Sequence, residues 1–221
     1  MEAILKVGGS LAEHPASLKK LCEELASLAK THRILIVPGG GKFADIVREF
    51  DKAYGLSNTV AHKMAVLAMD QFGLFLSDIT PNSYVSHSLK GIKNPTSGML
   101  PVFLPSKFMF RRDPLEHSWD VTSDSIAAYI AGVLHAKKLF LVTNVDGIFT
   151  EDPKEDVNAK LIAELFAERL LSWNKRTSVD KTLPELLLKT RLNCYVVNGK
   201  YPKRIKAILE NEKSVYTRII V

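Results

Sequence analysis

Two short apolar runs each end in glycines: Ala3-Ile4-Leu5-Lys6-Val7 leads into Gly8-Gly9-Ser10, and Ile34-Leu35-Ile36-Val37-Pro38 leads into Gly39-Gly40-Gly41-Lys42. Runs of this length and branching predict strands, each followed by a tight turn. Glycine lacks the Cβ that holds an anion away from the main chain, so successive N–H groups, backed by a helix N-terminus, can cradle a phosphate. One such turn is common. Two in a chain of this size, with a lysine in or beside each, predict that two phosphorylated groups are brought together, as phosphoryl transfer requires.

Beyond the turns, short apolar runs alternate with amphipathic helices, which predicts a mainly parallel sheet covered on both faces. The periodicity places strands near 2–7, 33–38, 139–142, 194–197 and 215–221. Helices are expected from Pro15 to Thr31, with Leu18, Leu21, Leu25 and Leu28 on one face, and from Gly41 to Ala53, with Phe43, Ile46, Val47 and Phe50 inward. Ser57 is the expected N-cap of a long helix through Met64, Leu67, Ala68 and Phe75. Further helices are expected from Asp124 to Leu134 and near 160–172, 182–191 and 202–210. Residues 80–119 hold five of the ten prolines and a turn-prone stretch, Asn94 to Gly98, and read as hairpins and loops of a lid or acceptor lobe. The whole, 1–221, reads as one domain with lobes of about 1–135 and 136–221.

The 221 residues can bury a substantial core, and 30 Lys+Arg against 24 Asp+Glu give a net charge of +6 that favours anionic partners. The basic residues come in scattered pairs, Arg111-Arg112, Lys137-Lys138 and Lys175-Arg176, without the long basic run or interleaved aromatics of a nucleic-acid platform, so no specific nucleic acid is expected. Cys22 and Cys194 match no metal or redox spacing, no signal-peptide pattern opens the chain, and no apolar stretch approaches the ~20 residues that span a bilayer. A cytoplasmic protein without a membrane segment is the expectation.

Each remaining motif has an ordinary reading. Gly39 to Ala44 fits G-x-G-x-x-A, but a dinucleotide fold also needs an acidic residue ending the next strand ~20 residues on, where residues 56–75 are helical instead. The Walker spacing is absent. Asp120-Val121-Thr122-Ser123-Asp124 could simply cap a helix, and Asp146-Gly147 and Asp152-Pro153 are turn-forming pairs. Lys181 opposes the dipole of the helix it begins, a placement that hints at function. The six histidines show no ligand spacing, although His62 and Asp70 fall on one side of the long helix.

Together, and in this order, Lys6 to Ser10 (K-x-G-G-S), Gly39 to Gly41, Thr122-Ser123-Asp124 (T-x-D), Thr143 to Pro153 (T-N-V-D-G-I-F…D-P), Asp180-Lys181 and Val197-Asn198-Gly199 resemble the amino acid kinase family, which includes acetylglutamate, aspartate, uridylate and isopentenyl phosphate kinases. The resemblance implies a three-layer αβα sandwich, ATP with Mg²⁺, a small phosphorylated acceptor and a homo-oligomer. By matching positions, Lys6 and Lys181 would bind the transferred phosphoryl group with Asp124 orienting both, and Gly8, Gly9 and Ser10 would hold the donor phosphates. Thr143, Asp146, Gly147, Phe149 and Asp152 would line the nucleotide, and Gly39, Gly40, Gly41 and Thr122 the acceptor. No protein ligand for Mg²⁺ is assigned. Pro38 stands where a histidine often precedes the triple glycine, and the usual terminal G-T-x-I reads Tyr216-Thr217-Arg218-Ile219.

Gly55-Leu56-Ser57, Ala61-His62, Leu67 to Gly73 and Ser118 to Asp124 are most similar to the family's archaeal branch acting in methanofuran biosynthesis, which implies an aminomethylfuran methyl phosphate as acceptor and its diphosphate as product. The acceptor's phosphate would then need Lys42 or Arg48 beside the glycines, and its ammonium a carboxylate, for which Asp70 and Asp120 are candidates. Uridylate or isopentenyl phosphate is the alternative acceptor. A non-catalytic nucleotide sensor or anion store on the same fold is the contrasting class, and retention of Lys6, Lys181 and Asp124 argues against it, because binding alone does not need a transition-state set.

Overall fold

The computed structural model describes residues 1–93, 98–153, 155–173 and 177–221. The chain opens with strand β1 (Ala3–Val7), a 3-10 turn (Gly9–Glu13), helix α1 (Pro15–Leu28), β2 (Ile34–Pro38), α2 (Gly41–Tyr54) and α3 (Asn58–Ile79). Its middle holds β3 (Ser83–Ser86), α4 (Leu89–Lys93), β4 (Leu100–Phe103), α5 (Ser106–Arg112) and α6 (Ser123–Val133). It closes with β5 (Lys138–Thr143), β6 (Glu164–Phe166), α7 (Ala167–Leu171), α8 (Leu183–Thr190), β7 (Cys194–Asn198), α9 (Lys203–Leu209) and β8 (Thr217–Ile220).

The strands form one sheet in the order β3-β4-β2-β1-β5-β7-β8-β6, parallel throughout except between β7 and β8. Helices cover both faces, giving the three-layer αβα sandwich. Alternation along β1 explains the layering: Ala3, Leu5 and Val7 pack with Leu18, Leu21 and Leu25 of α1, whereas Ile4 packs with Ile126, Ala127 and Ile130 of α6. Lys6 shares the face of Ile4, so its side chain is sent toward α6.

Register then sets the site. Val7 lies opposite Pro38 of β2 and Val142 of β5, so the three connections after these strands leave the same edge. The chain runs from β1 to β2 on one side and returns to β5 on the other. A crevice opens at the carboxyl ends of strands where the order reverses in this way, and parallel α/β sheets bind ligands there.

Three expectations are corrected. Phe43, Ile46 and Phe50 do not point inward: they are 40, 48 and 48% exposed, because α2 packs on α3 and only Ala44 and Val47 of it are buried. Residues 80–119 do not form hairpins, since β3 and β4 are parallel, with Ser83 opposite Leu100, and α4 lies in the crossover that a parallel pair requires. The stretch read as a helix near 160–172 begins instead with β6, which pairs with β8 at the sheet edge, and only Ala167–Leu171 is helical. Residues 94–97, the core of the expected turn, lie outside the described residues, as do Lys154 and the Lys175-Arg176 pair. Cys22 and Cys194 are buried and free, and no described helix is long and apolar enough to cross a membrane.

Candidate active site

Lys6 reaches α6 and stops at its first turn, where Nζ lies 2.8 Å from Asp124 Oδ1. The side chains are only 13 and 7% exposed, and the contact is a charge pairing without the alignment of a hydrogen bond. Removing one partner of a buried pair leaves an uncompensated charge and costs about 3–5 kcal/mol. Asp124 therefore holds a cation under the crevice, oriented but open to an incoming anion.

Around it the two glycine turns close in. Gly8 N–H donates to Val142 O at 2.8 Å and Gly39 N–H to Val7 O at 2.8 Å, which extends the sheet into both turns and keeps these two glycines out of the cavity lining. The next glycines face a cavity of about 280 Å³, lined by Lys6, Gly9, Ser10, Gly40 and Gly41 at one end. Lys42, Arg48 and Thr122, the candidate acceptor-binding residues, line it as well.

The far wall was largely missed from sequence. His62, Met69 and Trp119 line the same cavity. The Arg48 guanidinium sits over the Trp119 ring at 4.7 Å and is held by Asp45 at 3.1 Å, while the indole N–H donates to Asp51 at 2.7 Å. His62 stacks on His117 with ring centroids 4.6 Å apart. Burial, with the neighbouring His117 adding to it and Asp113 opposing, pushes the His62 imidazole below its ordinary value, so it is neutral near pH 7. The only sequence signal was the shared helix side of His62. Trp119 is 71 residues and one crossover away from Arg48, beyond any local pattern.

A second cavity, about 670 Å³, opens beside the connection after β5 and is lined by Thr143, Gly147, Phe149, Asp152 and Trp173. Asp146 is absent from that lining: its Oδ1 accepts from Asn198 Nδ2 at 2.9 Å and Arg204 Nη1 at 2.6 Å. Partial burial works to raise its pKa, but these two hydrogen bonds and the Arg204 charge prevail and hold the carboxyl below the ordinary range. Gly147 has φ +156°, and a Cβ there would meet Thr217 Oγ1 at 2.4 Å. Thr217 accepts from Ile148 N–H at 2.8 Å and donates to Ile162 O at 2.6 Å, so the threonine of the departing terminal motif still fixes this turn.

Three assignments need revision. Asp124 does not orient both lysines: Lys181 is 81% exposed and pairs with Asp120 at 3.1 Å, which commits the Asp120 carboxylate to that lysine. Asp70 caps the start of α5, where Oδ1 accepts from Ser106 N–H at 3.1 Å and Oδ2 from its hydroxyl, and neither Asp70 nor Asp120 lines the cavity. The carboxylates that do line it are Glu13 and Asp45. Among the described residues no group of three or more His, Cys, Asp or Glu is arranged to hold a metal.

Residues 1–196 match the sequence profile of the amino acid kinase family. The chain is 37% identical over 222 residues, covering 98% of it and 97% of the relative, to the [5-(aminomethyl)furan-3-yl]methyl phosphate kinase of Methanocaldococcus jannaschii. The crystal structure of uridylate kinase from Archaeoglobus fulgidus superposes with a TM-score of 0.77 at 22% identity, covering 99% of this chain and 100% of that one. The isopentenyl phosphate kinase of T. acidophilum, in a product complex, superposes at 0.65 with 19% identity, covering 100 and 99%.

Proposed function

The chain belongs to the amino acid kinase family and is a phosphotransferase, and we propose that it moves the γ-phosphoryl group of ATP to [5-(aminomethyl)furan-3-yl]methyl phosphate, giving the diphosphate. One observation carries the reading: Lys6, held by Asp124, lines the same cavity as Gly9 and Gly41, one from each glycine turn. A cation between two anion cradles is what in-line transfer between phosphates needs, because that chemistry depends on alignment and charge neutralisation more than on covalent help. The acceptor's phosphate oxygen is already ionised at neutral pH, so no general base is required.

In this reading ATP lies with its nucleoside in the cavity beside Thr143, Gly147, Phe149 and Asp152 and its phosphates toward Gly8, Gly9 and Ser10. The division into an acceptor lobe of about 1–135 and an ATP lobe of about 136–221 follows from that placement. Mg²⁺ prefers oxygen ligands and retains waters, so it would arrive on the ATP phosphates, and no side chain is assigned to it. The acceptor phosphate meets Gly40, Gly41, Lys42 and Arg48, and its ring lies against Trp119, His62 and Met69. The ammonium group is assigned to Glu13 and Asp45 in place of Asp70 and Asp120.

Release of ADP from Mg-ATP, measured with the furan methyl phosphate, UMP and isopentenyl phosphate beside a no-acceptor control, tests this assignment. The furan is expected to turn over fastest. Faster turnover of either other acceptor overturns the substrate, and no acceptor-dependent ADP release overturns the kinase.

Phe43, Ile46, Phe50 and Tyr54 form an exposed stripe on α2, and Val60, Leu67 and Leu74 recur at every seventh residue of α3. Exposed apolar surface of that extent supports a homo-oligomer. Sedimentation as a monomer at working concentration would exclude it.

A further inference from the structure

Asp180 precedes the lysine whose motif was recognised in the sequence, and its carboxylate accepts five hydrogen bonds from two helix starts. Oδ2 accepts from Thr122 N–H at 2.9 Å, Thr122 Oγ1 at 2.8 Å and Ser125 N–H at 3.0 Å. Oδ1 accepts from Ser125 Oγ at 2.6 Å and Leu183 N–H at 2.8 Å. Thr122 and Ser125 bracket Asp124 at the start of α6, and Leu183 is the first residue of α8. One carboxylate thus satisfies orphan N–H groups of both helices, at the positive ends of both dipoles.

We propose that Asp180 is the positioning residue of the transfer site, fixing Asp124, and through it Lys6, relative to Lys181. The chemistry of the cluster supports this. Asp124 and Asp180 are neighbouring carboxylates, and a second charge beside Asp124 would be unfavourable if helix capping were all that was needed, since Thr122 already accepts from Asp124 N–H at 3.4 Å. Burial and the Asp124 charge push the Asp180 carboxyl up, against its hydrogen bonds. What the arrangement secures is geometry. The backbone of Asp124 is pinned on both sides, and Lys181 is anchored one residue from the pin while its side chain stays exposed. Lys6 and Lys181 lie on segments 175 residues apart in sequence, and Asp180 is the buried carboxylate that joins the segment of Lys181 to that of Asp124, beside the more exposed contacts of Thr182 Oγ1 with Asp120 O at 3.2 Å and of Lys181 with the Asp120 carboxylate. Misplacement of reacting groups by about 1 Å can cost about 10²-fold in rate.

The proposal rests on the kinase reading, and its test separates the two. Asp180→Asn keeps the volume but turns an amide toward five donors. With the best acceptor of the wild type, kcat is expected to fall by about 10²-fold. KM for ATP and acceptor should stay within a few fold, and thermal unfolding should remain cooperative. Because Asp180 acts through Asp124, the loss should shrink in an Asp124→Asn background, and this non-additivity is a result that a merely structural cap would not give. Unchanged kcat in folded D180N, or full additivity with D124N, overturns the assignment. If D180N does not fold, Ser125→Ala, which removes one donor, decides: a lowered kcat at full folding supports the proposal and an unchanged kcat overturns it. A wild type that turns over no acceptor sinks the kinase reading and this proposal with it, a failure distinct from a D180N result.

Discussion

A Cβ on Gly9 would lie 2.0 Å from Gly41 Cα and 2.3 Å from Gly41 N, so the two glycine turns meet backbone to backbone. Gly41 itself has φ +55°, a left-handed conformation that disfavours side chains. No flexible side chain is there to give way. Gly9→Ala is therefore expected to separate the two cradles and abolish turnover, with destabilisation of about 1–3 kcal/mol, the range for overpacking. Gly55, which also has positive φ but nothing within 4 Å of an added Cβ, provides the contrast. Gly55→Ala should lose stability through strain alone and keep its kcat. Equal kcat in G9A and wild type would show that the turns need not touch.

The two lysines should respond differently to removal. Lys6→Ala strands the 7%-exposed side chain of Asp124, so it should lower both kcat and the melting temperature. Lys181→Ala breaks only an exposed pair, worth about 0–1 kcal/mol, and should lower kcat with little change in stability. Loss of one transition-state stabiliser typically costs about 10²–10³ in rate. The small cost of leaving Asp120 also means that Lys181 can swing to a phosphoryl group, and Asp120→Asn should not slow turnover more than a few fold. Steady-state kinetics with melting curves on the same samples check all three, and normal turnover in K181A would remove that lysine from the mechanism.

How far these relationships were legible depends on their range. The glycine turns, the Ser57 cap and the strands β1 and β2 follow from local chemistry, glycine freedom and runs of branched residues, and each is written within a few consecutive positions of the sequence. Lys6 facing α6 is also readable, by counting alternate residues from Ile4. The pairing of Lys181 with Asp120, the Asp180 bonds to Thr122 and Ser125, and the Arg48–Trp119 stack join segments 55 or more residues apart, and no periodicity carries them. The outward Phe43, Ile46 and Phe50 misled because an amphipathic stripe identifies the apolar side of a helix, not what covers it.

Acid should weaken the fold in two separate windows. The imidazole of His62 is held below its ordinary 6.5, so the unfolded chain binds the proton more tightly. Its contribution is present above pH 6.5 and is lost as pH falls below that toward the folded value. Asp146 is held below its ordinary 3.8, so its contribution is present above 3.8 and goes only as pH falls through the folded value. Melting temperatures are expected to drop as pH falls below 6.5, and to drop again in the deeper acid range below 3.8. His62→Gln should flatten part of the first drop and leave the deeper acid transition in place. An unchanged slope in H62Q would mean that other groups account for it.

The acceptor's amine gives the last expectation. Asp70 bonds to Ser106, and neither it nor Asp120 lines the cavity, whereas the Glu13 side chain lines it and has no hydrogen-bond partner among the described residues. Asp45 lines it too, but already neutralises Arg48, whose guanidinium is stacked on Trp119 and, in the proposed reading, meets the acceptor phosphate. An ammonium entering this cavity would therefore favour Glu13. Glu13→Gln should lower kcat/KM for the aminomethylfuran methyl phosphate by about tenfold, as expected from losing about 1.4 kcal/mol of charge-assisted hydrogen bonding. It should leave KM for ATP unchanged, and acetylating the substrate amine should produce the same loss in the wild type but little further loss in E13Q. Asp45→Asn should instead weaken binding of both amine and acetylated substrate, because its effect passes through Arg48. If E13Q and wild type discriminate equally between the free and acetylated amines, Glu13 does not read the amine.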